Sequence, residues 1–213
     1  MNRLEEELGG YVEGEGDVQW LALPAGSAEL AAWPLPDRWR AALADRADAV
    51  AIVTALWADL GPVLPRTFAL VTERLAGLAL VRTVERGLSL VYVFDNGGLD
   101  ALRGFAPPPA VPAIGERFPI DLARLYVVHD GLVQLACDDG GPLPVATWRT
   151  VVDPASNETS LVVIAANGPD VFGFDVSVEP PEARAVFPDE EFVEAVDDGW
   201  AFLDELVAGP FDD

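Results

Sequence analysis

Apolar residues change their spacing several times along this chain, and each change marks an element. From Asp37, the residues Trp39, Leu43, Val50, Val53, Trp57 and Leu60 recur at steps of three, four or seven. That spacing predicts a helical stretch with one buried face, broken or kinked near Asp45–Asp48 and stopped by Gly61-Pro62. Pro65–Leu75 supports two readings: Pro65 suits the first turn of a helix, while Phe68, Leu70 and Val71 suit a strand. Leu78–Val84 and Leu88–Phe94 flank Glu85-Arg86-Gly87, which predicts a hairpin. Leu88–Phe94 is largely apolar at both parities, as expected of a central strand covered on both faces, and Asn96-Gly97-Gly98 ends it. Upstream, Glu13-Gly14-Glu15-Gly16-Asp17 predicts a flexible acidic loop and Val18–Leu23 an edge strand.

Residues 104–113 contain four prolines. Such a run fits neither a helix nor a central strand. It is taken as the boundary between a 1–110 region of unknown role and a 111–213 domain; a surface loop within one domain is the other reading. Beyond it, Pro119 opens a predicted helix. Leu122, Leu125, Tyr126 and His129 share its face, and Gly131 caps it. Leu132–Ala136, Ala146–Val152, Leu161–Ala166, Val171–Val176 and Ala183–Phe187 are expected strands. The third and fourth pair across Asn167-Gly168-Pro169-Asp170. A last helix, Trp200–Val207, buries Phe202, Leu203, Leu206 and Val207 and turns Asp204 and Glu205 outward. The expected fold class is α+β, an antiparallel sheet flanked by helices, preceded by an α/β N-terminal region.

Composition narrows the function. The chain has 213 residues, half of them apolar, so it can bury a core. Its apolar runs are too short to span a bilayer, and Met1–Glu7 lacks the pattern of a secretory signal, so a cytoplasmic protein is expected. The single cysteine, Cys137, excludes an internal disulfide and is expected as a small hydrophobe at a strand end. The formal charge is −23, and all thirteen cations are arginine. Residues 113–213 carry 21 acids against 4 arginines; residues 1–112 carry 15 against 9. That field repels nucleic acid and anionic membranes and attracts basic proteins. Solubility, coding bias and salt adaptation are the plainer sources of the same composition.

No motif argues for catalysis, a metal or a cofactor. His129 is the only histidine, which excludes a multi-histidine metal site; at a predicted helix end it is expected as a capping residue. No Gly-x-Ser-x-Gly elbow, twelve-residue calcium loop or glycine-rich phosphate loop is present. What remains is acid in loops: Asp138-Asp139, Asp170, Asp175 and the stretch Asp189, Glu190, Glu191, Glu194, Asp197 and Asp198. These ten are the candidate partner-binding residues. Phe187, Phe192, Val193 and Val196 are interleaved with them as anchors or core.

Roughly residues 112–207 resemble the SMI1/KNR4 superfamily, the SUKH fold. Phe118-Pro119 resembles its opening step and His129-Asp130-Gly131 its first helix end. Ile164–Asp170 with Phe174-Asp175 resembles its central strand pair, and Trp200-Ala201-Phe202-Leu203 its last helix. Leu132 and Pro169 depart from the pattern, each standing where the family has glycine. The resemblance implies a binding module rather than an enzyme. It implies an immunity protein that occludes a bacterial polymorphic toxin, with a basic nuclease favoured by the charge, or else a regulatory or scaffolding adaptor. No nucleic acid, membrane or cofactor is implied as a partner.

Overall fold

Short turns between apolar runs leave this chain little choice but antiparallel pairing, since parallel strands need a crossover of a dozen or more residues. A computed structural model describes residues 3–44, 46–95, 99–190 and 192–211. In chain order the elements are α1 (Arg3–Leu8), β1 (Gln19–Leu23), α2 (Ser27–Leu30), α3 (Asp37–Leu43), α4 (Ala49–Leu56), α5 (Pro65–Glu73), β2 (Leu75–Thr83), β3 (Gly87–Asp95), β4 (Leu99–Phe105), α6 (Ala123–Tyr126), β5 (Leu132–Gln134), β6 (Gly141–Pro142), β7 (Arg149–Asp153), β8 (Glu158–Asn167), β9 (Asp170–Asp175), β10 (Glu182–Phe187), β11 (Phe192–Ala195) and α7 (Gly199–Ala208). One sheet has the order β1-β2-β3-β4-β5. The second runs β11-β10-β9-β8-β6, with β7 also paired to β8. The fold is mixed α+β with antiparallel sheets and flanking helices. The N-terminal strands are themselves antiparallel neighbours, so the α/β expectation for that region is corrected.

Two elements differ from expectation in instructive ways. The segment after Pro119 is helical only over α6. Leu122, Leu125, Tyr126, Val128 and His129 are all buried, a spread around the axis that one helix face does not supply. Instead single turns, such as His129 N–H to Leu125 O at 2.9 Å, fold the segment into the core. The strand expected from Ala146 starts later, at Arg149, after a single 3₁₀ turn over Val145–Thr147. The expected break between α3 and α4 is present. There Asp48 caps α4 by accepting from Ala51 N–H at 2.7 Å. Asp45, and the expected strand end at Asn96-Gly97-Gly98, lie outside the described residues. At Pro65 the helix reading holds.

The largest core cluster gathers Trp39, Trp57, Leu90, Tyr92, Leu125, Phe172, Phe174 and Leu203, from both sides of the proline-rich segment. Sheet pairing crosses that segment too. β5 completes the first sheet against β4, and Asp130 N–H reaches Phe105 O at 3.0 Å. On the outer face of the first sheet, Val81, Val91, Val93 and Ala101 are covered by Leu8 and Val12. β3 is therefore buried on both faces, as its sequence predicts.

Polar side chains lock this core. Glu15 is 8% exposed rather than part of a flexible loop. It holds fully buried Arg103 through both oxygens at 2.5 and 2.8 Å and accepts from Thr83 Oγ1 at 2.8 Å. Burial pushes the Glu15 carboxyl up, but the Arg103 and Thr83 hydrogen bonds outweigh this and hold it below the usual carboxylate value. His129 is likewise buried. The Trp57 indole donates to Tyr92 OH at 2.9 Å, and that hydroxyl lies 2.7 Å from His129 Nε2. The ring lies where a side chain on Gly104 would sit, since a Cβ there would come within 2.4 Å of Nδ1. Burial drives the imidazole pKa down to about 3, so the ring is neutral and complements no helix dipole, which corrects its expected capping role. Asp204, expected outward, is 3% exposed. Its oxygens accept from Arg66 N–H (2.9 Å), Thr67 N–H (2.8 Å) and Thr67 Oγ1 (2.7 Å), capping the start of α5 from α7.

Two outcomes follow for stability. Asp204→Ala leaves three donors without a buried acceptor and lowers the unfolding free energy by about 3 kcal/mol in urea titration. Below the ordinary histidine value of 6.5 the unfolded chain binds a proton that the folded chain refuses until about pH 3. The His129 contribution is therefore complete above pH 6.5 and is lost as pH falls, with a limiting slope of about 1.4 kcal/mol per unit. His129→Gln, whose amide can serve the Tyr92 hydroxyl as acceptor or donor, removes that slope from a urea series between pH 6.5 and 4.5.

Candidate protein-docking face

Strand direction decides which acidic loops meet. β8 ends at Asn167, β9 starts at Asp170, β10 ends at Phe187 and β11 starts at Phe192. The 167–170 and 188–190 turns therefore lie at one end of the second sheet. The 138–140 loop joins them. Gly168 N–H donates to Asp139 Oδ2 at 2.8 Å, and Gly140 N–H donates to Ala166 O at 2.8 Å. Asp138, Asp139 and Asp170 are thus brought together, and Asp189 and Glu190 share the same sheet end about two strand spacings, roughly 10 Å, away. Asp189 and Glu190 are exposed in a 3₁₀ turn, and the other three are half-buried. Asp138 takes a left-handed φ of +58° and pairs with Arg86. Glu191 lies outside the described residues. Glu194 is exposed on β11 beside this end.

The remaining candidates are elsewhere. Asp197 and Asp198 follow β11 at the opposite end of the sheet. Asp198 caps α7, accepting from Trp200 and Ala201 N–H at 3.0 Å each. Asp175, also at that end, is buried. Its Oδ1 accepts from Ser177 N–H at 2.9 Å and Ser177 Oγ at 2.7 Å, closing the turn after β9. Burial raises its pKa, yet these bonds prevail and keep it below the usual carboxylate value. Asp175 therefore faces no partner, which corrects its assignment to the binding set. A six-residue strand such as β10 separates the two ends by about 20 Å. That exceeds the physiological Debye length of about 8 Å, so the ends act as separate fields.

Between β10, β11 and the start of α7 lies a cleft of about 520 Å³ floored by Ile120, Ala183, Val196 and Trp200. Its acids are largely committed: Glu182 pairs with Arg184 and Asp198 caps α7. Among the described residues, no group of three or more His, Cys, Asp or Glu side chains is placed to hold a metal ion. Cys137 is exposed in a turn rather than packed at a strand end.

Sequence reasoning missed β11. Its signal is the alternation of Phe192, Glu194 and Val196 with Val193 and Ala195, hidden inside an acidic run. Phe192 is 48% exposed and stacks on Phe187 with ring centroids 6.0 Å apart. Val193 and Val196 are half-buried and pack against the sheet faces.

No family model, curated protein or solved structure matches this chain.

Burial separates structural from surface acids in a testable way. Asp175→Ala lowers stability by about 2 kcal/mol through loss of its two turn hydrogen bonds. Asp189→Ala and Glu190→Ala leave the denaturation midpoint unchanged, as measured by urea-induced loss of tryptophan fluorescence.

Proposed function

We propose that the acidic end of the second sheet docks a basic protein. In this reading the chain is an immunity protein of the SMI1/KNR4 type that occludes the cationic cleft of a toxin, a nuclease being the favoured target. The observation that carries it is the convergence of Asp138, Asp139, Asp170, Asp189 and Glu190 from three loops onto one sheet end, with Arg86 engaging one of the five. The resemblance over residues 112–207 supplies the immunity role.

The physical logic is charge matching. A nuclease holds phosphate, so its cleft is cationic, and a rigid array of carboxylates competes for that cleft. Fixed loops help, because little side-chain and backbone freedom is lost on binding. Asp139 is held by Gly168 N–H, and the turn it fixes presents Asp170. Electrostatic steering raises the association rate most at low salt.

The test takes a small basic toxin domain from a neighbouring gene; a neighbourhood without one argues against the immunity role. Co-expression with the wild-type chain restores growth of the host cell. The Asp189→Arg/Glu190→Arg variant lowers the association rate at low salt by about tenfold or more, with an unchanged melting point. Unaltered protection together with an unaltered rate would remove this sheet end as the docking face.

A further inference from the structure

β11 is the terminal strand of the second sheet, and among the described residues no strand pairs with its outer edge. Its register fixes what that edge offers. Val196 N–H donates to Ala183 O at 3.0 Å, and Arg184 lies opposite Ala195. Hydrogen-bonding pairs alternate along an antiparallel ladder. The backbone groups of Phe192, Glu194 and Val196 therefore point toward β10, while those of Val193 and Ala195 point outward. The outward residues present unpaired N–H and C=O groups in strand geometry.

Side chains sort by the same alternation. Phe192 and Glu194 stand on one face, both exposed; Val193 and Ala195 stand on the other. Like charge guards such an edge against a second copy of the chain, since an antiparallel copy would bring Glu194 near its counterpart and Asp189-Glu190 toward the copy's Asp197-Asp198. The same charges admit a strand of opposite sign. From this we infer that the free edge of β11 accepts an extended segment of the basic partner as an added antiparallel strand. That segment alternates Arg or Lys, facing Glu194 and the Phe192 ring, with small apolar residues, facing Val193 and Ala195. The inference rests on the docking reading above and specifies how the partner engages. β1 and β5, the terminal strands of the other sheet, carry no acid over Gln19–Leu23 and Leu132–Gln134 and offer no such selection.

Proline substitution separates backbone pairing from charge. Val193→Pro removes an outward N–H and leaves every bond to β10 in place, a substitution that edge strands tolerate. The probe is a fluorescent acetyl-(Arg-Val)₄-amide peptide, read by anisotropy at low salt. Two further copies are N-methylated at every second amide, one in each phase. The expected result is that Val193→Pro weakens the peptide about fivefold or more without changing the circular dichroism spectrum. One methylated phase loses binding, because its methyl groups face β11, and the other keeps it. Ala195→Pro repeats the experiment should Val193→Pro alter the spectrum. Equal binding by the wild type and the proline variants, or by both methylated copies and the parent, overturns strand addition and leaves a charge-only contact, so the docking reading survives. Failure of the parent peptide to bind the wild-type protein at low salt overturns both.

Discussion

A carboxylate enters this interior only where donors meet it. Glu15, Asp153, Asp175 and Asp204 are buried acids, and each accepts at least one hydrogen bond, although Asp153 Oδ2 accepts none and lies 3.9 Å from Arg184 Nε. Glu15 clamps Arg103 across 88 positions of sequence, and Asp204 caps α5 across more than 130. Asp153 and Asp175 close local turns through Ala155 and Ser177. Burying an unpaired charge costs more than a domain of this size can spare, so satisfaction is a condition of folding rather than an ornament of it. The Glu15 clamp draws the N-terminal segment over the outer face of the first sheet. The Asp204 cap fixes the last helix against the fifth. Between them they close both ends of the chain onto the core.

That condition explains what could be foreseen. Hairpins were legible because their information is local. Leu78–Val84 and Leu88–Phe94 carry strand residues around a turn containing Gly87, which takes a positive φ of +70°. The strand pair around Asn167–Asp170 is of the same kind. Glu15, His129 and Asp204 were not legible, because their fate depends on partners far away in sequence. An acid beside two glycines has the local look of a solvated loop until Arg103 is placed opposite it. Helix periodicity over residues 119–129 was real, yet Val128 adds a second buried direction, and the segment turns instead of extending. β11 was hidden for a different reason: four residues of alternation carry little weight when acids flank them.

The candidate site shows the same division. Sequence could nominate acids but not group them. Asp175 and Asp189 looked equivalent as loop carboxylates, while strand direction sends them to opposite ends of one sheet and burial removes the first. Asp138 and Asp170, 32 positions apart, are joined through the bond from Gly168 to Asp139. A patch drawn along the sequence would have run from Asp189 to Asp198 as one surface. The fold divides that run about β11 and assembles its first half with loops from elsewhere.

This division also bears on how a strongly charged chain stays folded. Thirty-six acids against thirteen arginines would strain a small core if their fields added over the whole surface. Screening confines each field to about 8 Å, so only acids brought close together repel appreciably. The sheet end tolerates its five because two are held: Asp138 by Arg86, and Asp139 by a backbone donor. Asp189 and Glu190 stay in solvent, where the cost of proximity is smallest. Buried and surface acids are therefore separate populations: Glu15, Asp175 and Asp204 accept from donors within the chain, while Asp189 and Glu190 remain exposed.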